Sequence, residues 1–362
     1  MESTRRDRRG GVTSALKTLS IMPTFTCPAA CADCASLSSP RDRTNVRQEA
    51  VLAAIREARE LGFYNVVFTG GEATLRWKDL LEGIRLARSL DFPVRLVTNA
   101  HWAHDPERAT QGIGELLEAG LTEINYSTGD EHARFIPVER VLHAIAAATA
   151  RGLHVVVVVE LRAERLVTRA ALEGHPLYAL LSSGQKEKIR VLESPWMPLE
   201  PYTVERYPEG VAIDRRNLAW RPGCDNLMQT YTLQADGRIG CCCGIGMRRI
   251  DELNVGNVSD DRPLHRAIEE AENDFLKLWI RWKGPERVLA WAASIDPAIR
   301  WEGMYAHHCQ ACARVYRDPR VAAVIREHYE SVMADVIQSG WMDEEFVPGV
   351  LQQPLVQIEE PA

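Results

Sequence analysis

Cys27, Cys31 and Cys34 most narrow what this chain can become, because they form C-x3-C-x2-C on a loop between an apolar run and an amphipathic one. The chain has 9 cysteines in 362 residues. At that frequency a given Cys meets partners at both spacings by chance only about once in 1,600. In a cytosolic chain of this size a disulfide framework is not expected, so clustered thiols point to metal or redox chemistry. Three thiolates on one short loop can hold three irons of a cubane cluster and leave the fourth iron open. A structural zinc site takes four protein ligands, and this loop alone does not supply the fourth.

The elements around the loop set the expected fold. Residues 16–26 read as a strand, 46–61 as a helix stopped by Gly62, and 64–69 as a second strand that runs into Gly70-Gly71-Glu72. Further strands are predicted at 94–99, 123–127, 154–161 and 189–192, with helices near 78–90, 107–119, 138–151 and 163–182. Six strands with helices between them predict a parallel sheet with right-handed crossovers, hence an α/β fold built on a partial (β/α)6 barrel. Ligands in such folds gather at the C-terminal strand ends, where the three cysteines, Gly70-Gly71-Glu72 and Asn99 fall.

At these residues the chain resembles the radical S-adenosylmethionine (SAM) superfamily, over roughly residues 16–215. The resemblance implies that Cys27, Cys31 and Cys34 hold a [4Fe-4S] cluster whose open iron binds SAM. It implies that Gly70, Gly71 and Glu72 hold the methionine part and that Ser127 contacts the ribose; Asn99 is a further candidate cofactor contact. Two positions depart from the family pattern: Asp33 stands where an aromatic is usual before the third cysteine, and Ala73 where Pro often follows the Glu. Plainer roles stand beside these. Glu72 can serve as a residue favoured at a helix N-terminus, Ser127 as a turn cap and Asn99 as a turn former. His132 is either a proton carrier or a surface histidine.

After residue 215 the strand–helix alternation stops and a second cysteine group begins. Residues 231–243 read as a β-hairpin turning at Ala235-Asp236-Gly237, which would carry Cys241, Cys242 and Cys243 on one strand with Cys242 facing opposite to its neighbours. Cys309-x2-Cys312 places two more thiols on one expected loop. Cys224, one Cys of the triplet, Cys309 and Cys312 can thus make a four-thiolate site. This segment resembles the twitch half of SPASM/twitch extensions, and the spacing from Gly237 selects Cys242 as the ligand. The resemblance implies an auxiliary [4Fe-4S] cluster on Cys224, Cys242, Cys309 and Cys312; a four-cysteine zinc site is the alternative. Cys241 and Cys243 are then either small buried residues or, for one of them, a hydrogen-atom donor to a substrate radical.

The expected organisation is a basic tail at 1–15, a radical SAM core at 16–215, a twitch-like β-hairpin/helix domain at 216–315, and a C-terminal helix and tail at 316–362. A closing helix is read at 319–336, and Trp279, Trp282, Trp291 and Trp301 are expected to pack the added domain against the barrel.

The net charge of −7 argues against a nucleic-acid partner. No apolar run is long enough to span a membrane. Arg5, Arg6, Arg8 and Arg9 are followed by no apolar signal region, so a cytoplasmic location is expected.

The implied activity is reductive cleavage of SAM to a 5′-deoxyadenosyl radical that takes a hydrogen atom from substrate, fed by an electron donor such as flavodoxin or ferredoxin. The expected substrate is a ribosomally made peptide, to be oxidised, crosslinked or epimerised. A sugar or aminocyclitol is the alternative substrate, and a non-catalytic metal-binding protein the remote one. With 26 residues ahead of Cys27, no N-terminal peptide-recognition domain is expected.

Overall fold

The computed structural model of the chain describes residues 16–245 and 247–346. The expected basic tail at 1–15 and the acidic end at 352–362 lie outside the described residues.

The first six strands and their helices follow in alternation. Thr18–Ile21 (β1), Gln48–Glu60 (α1), Asn65–Phe68 (β2), Trp77–Ser89 (α2), Val94–Thr98 (β3) and Pro106–Ala119 (α3) come first. Glu123–Thr128 (β4), the short Asp130–Ala133 (α4), Val138–Ala150 (α5) and Val155–Leu161 (β5) follow. Each long helix buries one stripe. In α1 it is Val51, Ala54, Ile55 and Ala58, the spacing of one helical face. Helix α3 shows how the ends are fixed: the Asp105 side chain accepts from Arg108 N, Pro106 opens the first turn, and Gly120 closes it at φ 105°. In β3, β4 and β5 alternate residues are buried and those between them mostly half-buried, the two faces of each strand meeting different surroundings.

Between β5 and Ile189–Pro195 (β6) the single helix expected at 163–182 is instead three short ones, Arg169–Glu173 (α6), Pro176–Ala179 (α7) and Ser183–Lys186 (α8). Pro176 cannot continue a helix begun upstream, and the Thr168 and Ser182 side chains each cap a new start. The strand expected over 16–26 also shortens to β1. Pro23 interrupts it, and Thr24 and Thr26 make isolated bridges to Asn45 and Ser39 instead.

Beyond residue 215 the sheet continues. Thr230–Leu233 (β7) pairs parallel to β1, with Thr18 opposite Thr230, and Arg238–Gly240 (β8) and Asn254–Asn257 (β9) follow antiparallel. The described residues therefore form one open nine-stranded sheet in the order β6-β5-β4-β3-β2-β1-β7-β8-β9. The six parallel crossover strands make the expected partial barrel, and the sheet does not close.

Pro263–Glu272 (α9) packs on β9 and α1. Phe275–Lys283 (α10), Pro285–Ile295 (α11), His308–Arg317 (α12), Pro319–His328 (α13) and Glu330–Phe346 (α14) complete the chain's helices. The closing helix expected at 319–336 is thus two helices. The tryptophans pack within this helical layer: Trp279 meets Trp291 edge-on at 4.8 Å between centroids, and Phe275 lies against Trp279 and Tyr329. Among the described residues no helix is long and apolar enough to cross a membrane.

Candidate active site

A cavity of about 470 Å³ opens at the C-terminal ends of the parallel strands. Its wall includes Cys27, Cys31, Cys34, Gly70, Gly71, Glu72, Asn99, Ser127 and Cys243, so residues far apart in sequence share one space.

The backbone explains why the glycine pair sits beside the cysteine loop. Gly71 N donates to Thr24 O at 3.0 Å and Glu72 N to Thr26 O at 2.9 Å, so the turn after β2 is zipped to the segment that enters Cys27. Gly70 has φ 114°, and a Cβ there would lie 3.0 Å from the Met22 backbone. A Cβ on Gly71 would run into the Thr26 carbonyl oxygen and lie 2.8 Å from Phe25 C. Both positions therefore require glycine.

Glu72 is 1% exposed. Its Oε1 accepts from Thr74 N at 3.2 Å, Thr74 Oγ1 at 2.6 Å and Thr98 Oγ1 at 2.8 Å, while Oε2 accepts from Asn99 N at 2.9 Å. The helix-start role is real, since Glu72 caps the short 3-10 turn Ala73–Arg76. The same carboxylate also borders the cavity, fixed by neutral donors. Asn99 fills the turn role and also reaches the first cysteine. Its Oδ1 accepts from His101 N at 3.0 Å, which shapes the turn, and its Nδ2 donates to Cys27 Sγ at 3.5 Å. Ser127 lies at the end of β4 on the cavity wall, and the helix that follows is capped at Gly129 without a side-chain hydrogen bond.

The three thiols of the first loop suit a cationic cluster. Burial pushes Cys27 and Cys31 up to about 12, and the nearby thiols, together with Glu72 beside Cys27, push the same way. Cys27 and Cys31, raised by burial with Cys34 beside them, form with it a donor set that bound iron would relieve. Among the described residues no three His, Cys, Asp or Glu side chains stand in finished metal-binding geometry.

The second cysteine group also converges, but differently from the expected strand. Strand β8 ends at Gly240, and Cys241, Cys242 and Cys243 follow as irregular backbone that bends at Cys241. Cys241 and Cys242 are both buried and Cys243 is exposed, so the alternating-face expectation fails. Cys309 and Cys312 lie in the N-terminal part of α12, not on a loop; His307 caps the helix by accepting from Cys309 N. Gly244 leaves a gap in which a Cβ would lie 2.9 Å from Cys309 Sγ and 3.8 Å from Cys242 Sγ. Burial raises Cys224, Cys242, Cys309 and Cys312, and Cys312 is raised further by Cys224 and Cys309. Glu286, 1% exposed, adds negative charge beside Cys224, Cys309 and Cys312 and pairs with His308 at 2.6 Å. These donors fit a thiolate-held cluster.

Of the two thiols left over, Cys241 is 0% exposed and Cys243 lines the cavity, where its Sγ donates to Asn226 Oδ1 at 3.6 Å. Sequence periodicity could not separate them.

His132 is not a surface residue. It borders the cavity, and its Nδ1 lies 2.6 Å from Glu160 Oε1; Glu160 also accepts from the backbone N–H groups of Glu131 and His132. Trp196 stands edge-on to the imidazole at 6.2 Å, with Arg162 5.0 Å over the indole. Glu160, Trp196 and Asn226 were missed in the sequence. Glu160 carried a signal, a carboxylate ending the run Val155–Val159 at the C-terminal edge of a parallel strand.

Comparison with known proteins agrees with this geometry. Residues 21–161 match the radical SAM superfamily. The putative peptide biosynthesis protein YydG of Bacillus subtilis (strain 168) is 26% identical over 121 residues, which cover 33% of this chain and 38% of that protein. The match thus takes in well under half of the relative's length. Native anSMEcpe, solved with bound AdoMet and Cp18Cys peptide, superposes with a TM-score of 0.52 at 14% identity, over 90% of this chain and 99% of that one. At that identity the likeness is one of fold, and it extends past β6 into the second cysteine region.

Proposed function

Because the chain belongs, through residues 21–161, to the radical SAM superfamily, we propose that it is an enzyme that takes a hydrogen atom from a peptide and returns one from Cys243. The observation that carries this reading is the shared wall: the Cys27–Cys34 loop, the Gly70-Gly71-Glu72 turn and the Cys243 thiol border the same cavity.

Cys27, Cys31 and Cys34 would hold a [4Fe-4S] cluster, and Cys224, Cys242, Cys309 and Cys312 an auxiliary one. When bound, the first cluster supplies the electron that cleaves SAM and so provides the hydrogen-abstracting radical. The chain's own contribution is placement. Gly70 and Gly71 let backbone come close to the methionine part of SAM, and Glu72 presents a fixed carboxylate to its ammonium. Asn99 steadies Cys27, and Ser127 faces the ribose.

Cys243 carries the one sulfhydryl of the second group assigned to chemistry. Its S–H bond is weaker than a C–H bond, so Cys243 Sγ can pass its hydrogen atom to a carbon radical and invert that centre. One electron and one proton then restore the thiol, and a flavodoxin- or ferredoxin-type donor would supply the electron. Peptide as the substrate class is supported by the printed function of the YydG relative. A domain division near residue 215, with the twitch-like segment at 216–315, belongs to the same reading.

The test is anaerobic reconstitution followed by reduction with SAM present. About eight irons per chain and release of 5′-deoxyadenosine are expected, with about four irons left in the Cys27/Cys31/Cys34→Ala triple variant. With peptide in D2O, one solvent deuteron at an inverted Cα supports the Cys243 role. Turnover of a sugar with no reaction on peptides would overturn the substrate class.

A further inference from the structure

Arg248 follows Cys243 by five positions in sequence, yet its guanidinium is spent on the first cysteine loop. Nη1 donates to Ser36 O at 2.8 Å and to Leu37 O at 3.0 Å, and Nη2 lies 3.6 Å from Asp42 Oδ2. The guanidinium carbon sits 3.4 Å from the centroid of the Phe25 ring, and the side chain is 16% exposed. A planar fork that meets two carbonyls, a carboxylate and a ring face at once is a use only Arg can serve.

What Arg248 grips is the hinge of the first site. Ser36 Oγ lies 3.3 Å from Cys34 Sγ and donates to Gly70 O at 3.1 Å. One residue thus ties the third cysteine to the first glycine of the Gly70-Gly71-Glu72 turn. Leu37 has φ 52°, a left-handed backbone that costs a leucine energy unless its surroundings enforce it. The turn bond from Leu37 N to Cys34 O at 2.9 Å and the Arg248 contact to Leu37 O are two such enforcements.

We propose that Arg248 is a positioning residue that makes the geometry of the first cysteine loop depend on the segment carrying Cys241, Cys242 and Cys243. Ordering of the second site, by its own packing or by a bound cluster, then sets the placement of Cys34 and Gly70. The contact itself stands on the cluster-free chain; only its consequence for SAM binding rests on the two-cluster reading above.

Hydrogen exchange on the full cluster-free chain tests the contact. Arg248→Ala should speed exchange of the amides of residues 34–39 about tenfold or more, while amides of β8, β9 and α12 keep wild-type rates. Arg248→Lys, which keeps the charge and loses the fork, should fall between the two. Asp42→Asn should shift the same amides less, and it carries the test with Arg248→Lys if the alanine variant does not fold. Unchanged exchange at 34–39, or an equal rise through β7, β8 and β9, would overturn the proposal.

A second arm reads the coupling in reconstituted protein by electron paramagnetic resonance. Cys309→Ser/Cys312→Ser should weaken the SAM-induced change in the first cluster's signal, and adding Arg248→Ala should weaken it no further. Strictly additive losses would overturn the coupling. Absence of second-site iron from the wild type would instead count against the two-cluster reading and leave the exchange result standing.

Discussion

The two cysteine groups reach similar chemistry by opposite routes. Cys27, Cys31 and Cys34 are neighbours in sequence on one loop, and they face an open cavity. Cys224, Cys242, Cys309 and Cys312 come from a connecting segment, the stretch after β8 and the N-terminal part of α12; Cys242 is buried and the other three are half-buried. The first group offers three thiols and leaves room for a ligand; the second offers enough thiols to enclose an iron cluster entirely. Thiols gathered on one loop can stay beside a cavity, whereas thiols drawn from separate elements come together only once those elements have packed.

The sharpest way to break that contrast is to disable each group in turn. The Cys27/Cys31/Cys34→Ala variant should lose all 5′-deoxyadenosine formation. Cys242→Ala should lower iron by about four per chain and leave the iron held by Cys27, Cys31 and Cys34 in place. If Cys241→Ala lowers the iron instead, the second ligand set is misassigned.

A large effect on the folded chain is expected at Gly71. Ala there meets the backbone of Phe25 and Thr26, which can yield only by moving the strand-to-cysteine segment, so a loss of about 3 kcal/mol is expected by chemical denaturation. Gly62→Ala is the companion measurement. Its φ is 74° but nothing lies within 4 Å of an added Cβ, so only the backbone cost of about 1–2 kcal/mol should appear. Equal losses at the two glycines would mean that the close approach at Gly71 is not what holds the turn.

Cys243→Ala separates the donor role from the ligand role. SAM consumption and iron content should persist while inverted product disappears and unquenched or over-oxidised peptide accumulates. Normal product from this variant would remove Cys243 from the chemistry.

The smallest expected effect is one of pH on the cluster-free chain. Cys27 and Cys31 are raised from about 9 to about 12 by burial. At pH 8 both should alkylate more than tenfold slower than an exposed cysteine, because the thiolate is the reactive form. Unfolded thiols ionise near 9 while the folded ones stay protonated. Their contribution to stability is therefore complete below 9 and declines as pH climbs toward 12.

Much of the first site was legible before the fold was known. The spacing of its cysteines and the glycines at a strand end are local signals, and local signals survive in a linear chain. The second cysteine group was legible as a cluster in the sequence but not in its local geometry. Cys241–Cys243 read as a strand because alternation was assumed to continue, yet β8 stops at Gly240 and a bulge lies between Ile239 and Gly240. Cys309 and Cys312 read as a loop because C-x2-C is common on loops, whereas a histidine cap starts a helix at that point. The helix read at 163–182 failed because Pro176 and two capping side chains outweigh its apolar spacing. Arg248 gave no sequence signal at all, since its meaning lies in carbonyls more than two hundred residues upstream.

The pairing of β1 with both β2 and β7 has a consequence in time. A ribosome adding about 5–20 residues per second releases β7 roughly 10–40 s after β1. Through that interval the nascent strand has a partner on one flank only, and the loop carrying Cys27, Cys31 and Cys34 lacks the clasp that comes later still. The thiols of the first site are made early and become a defined set late. A polypeptide halted before residue 230 should therefore carry those cysteines without the β7 partner and the Arg248 contacts that hold their loop.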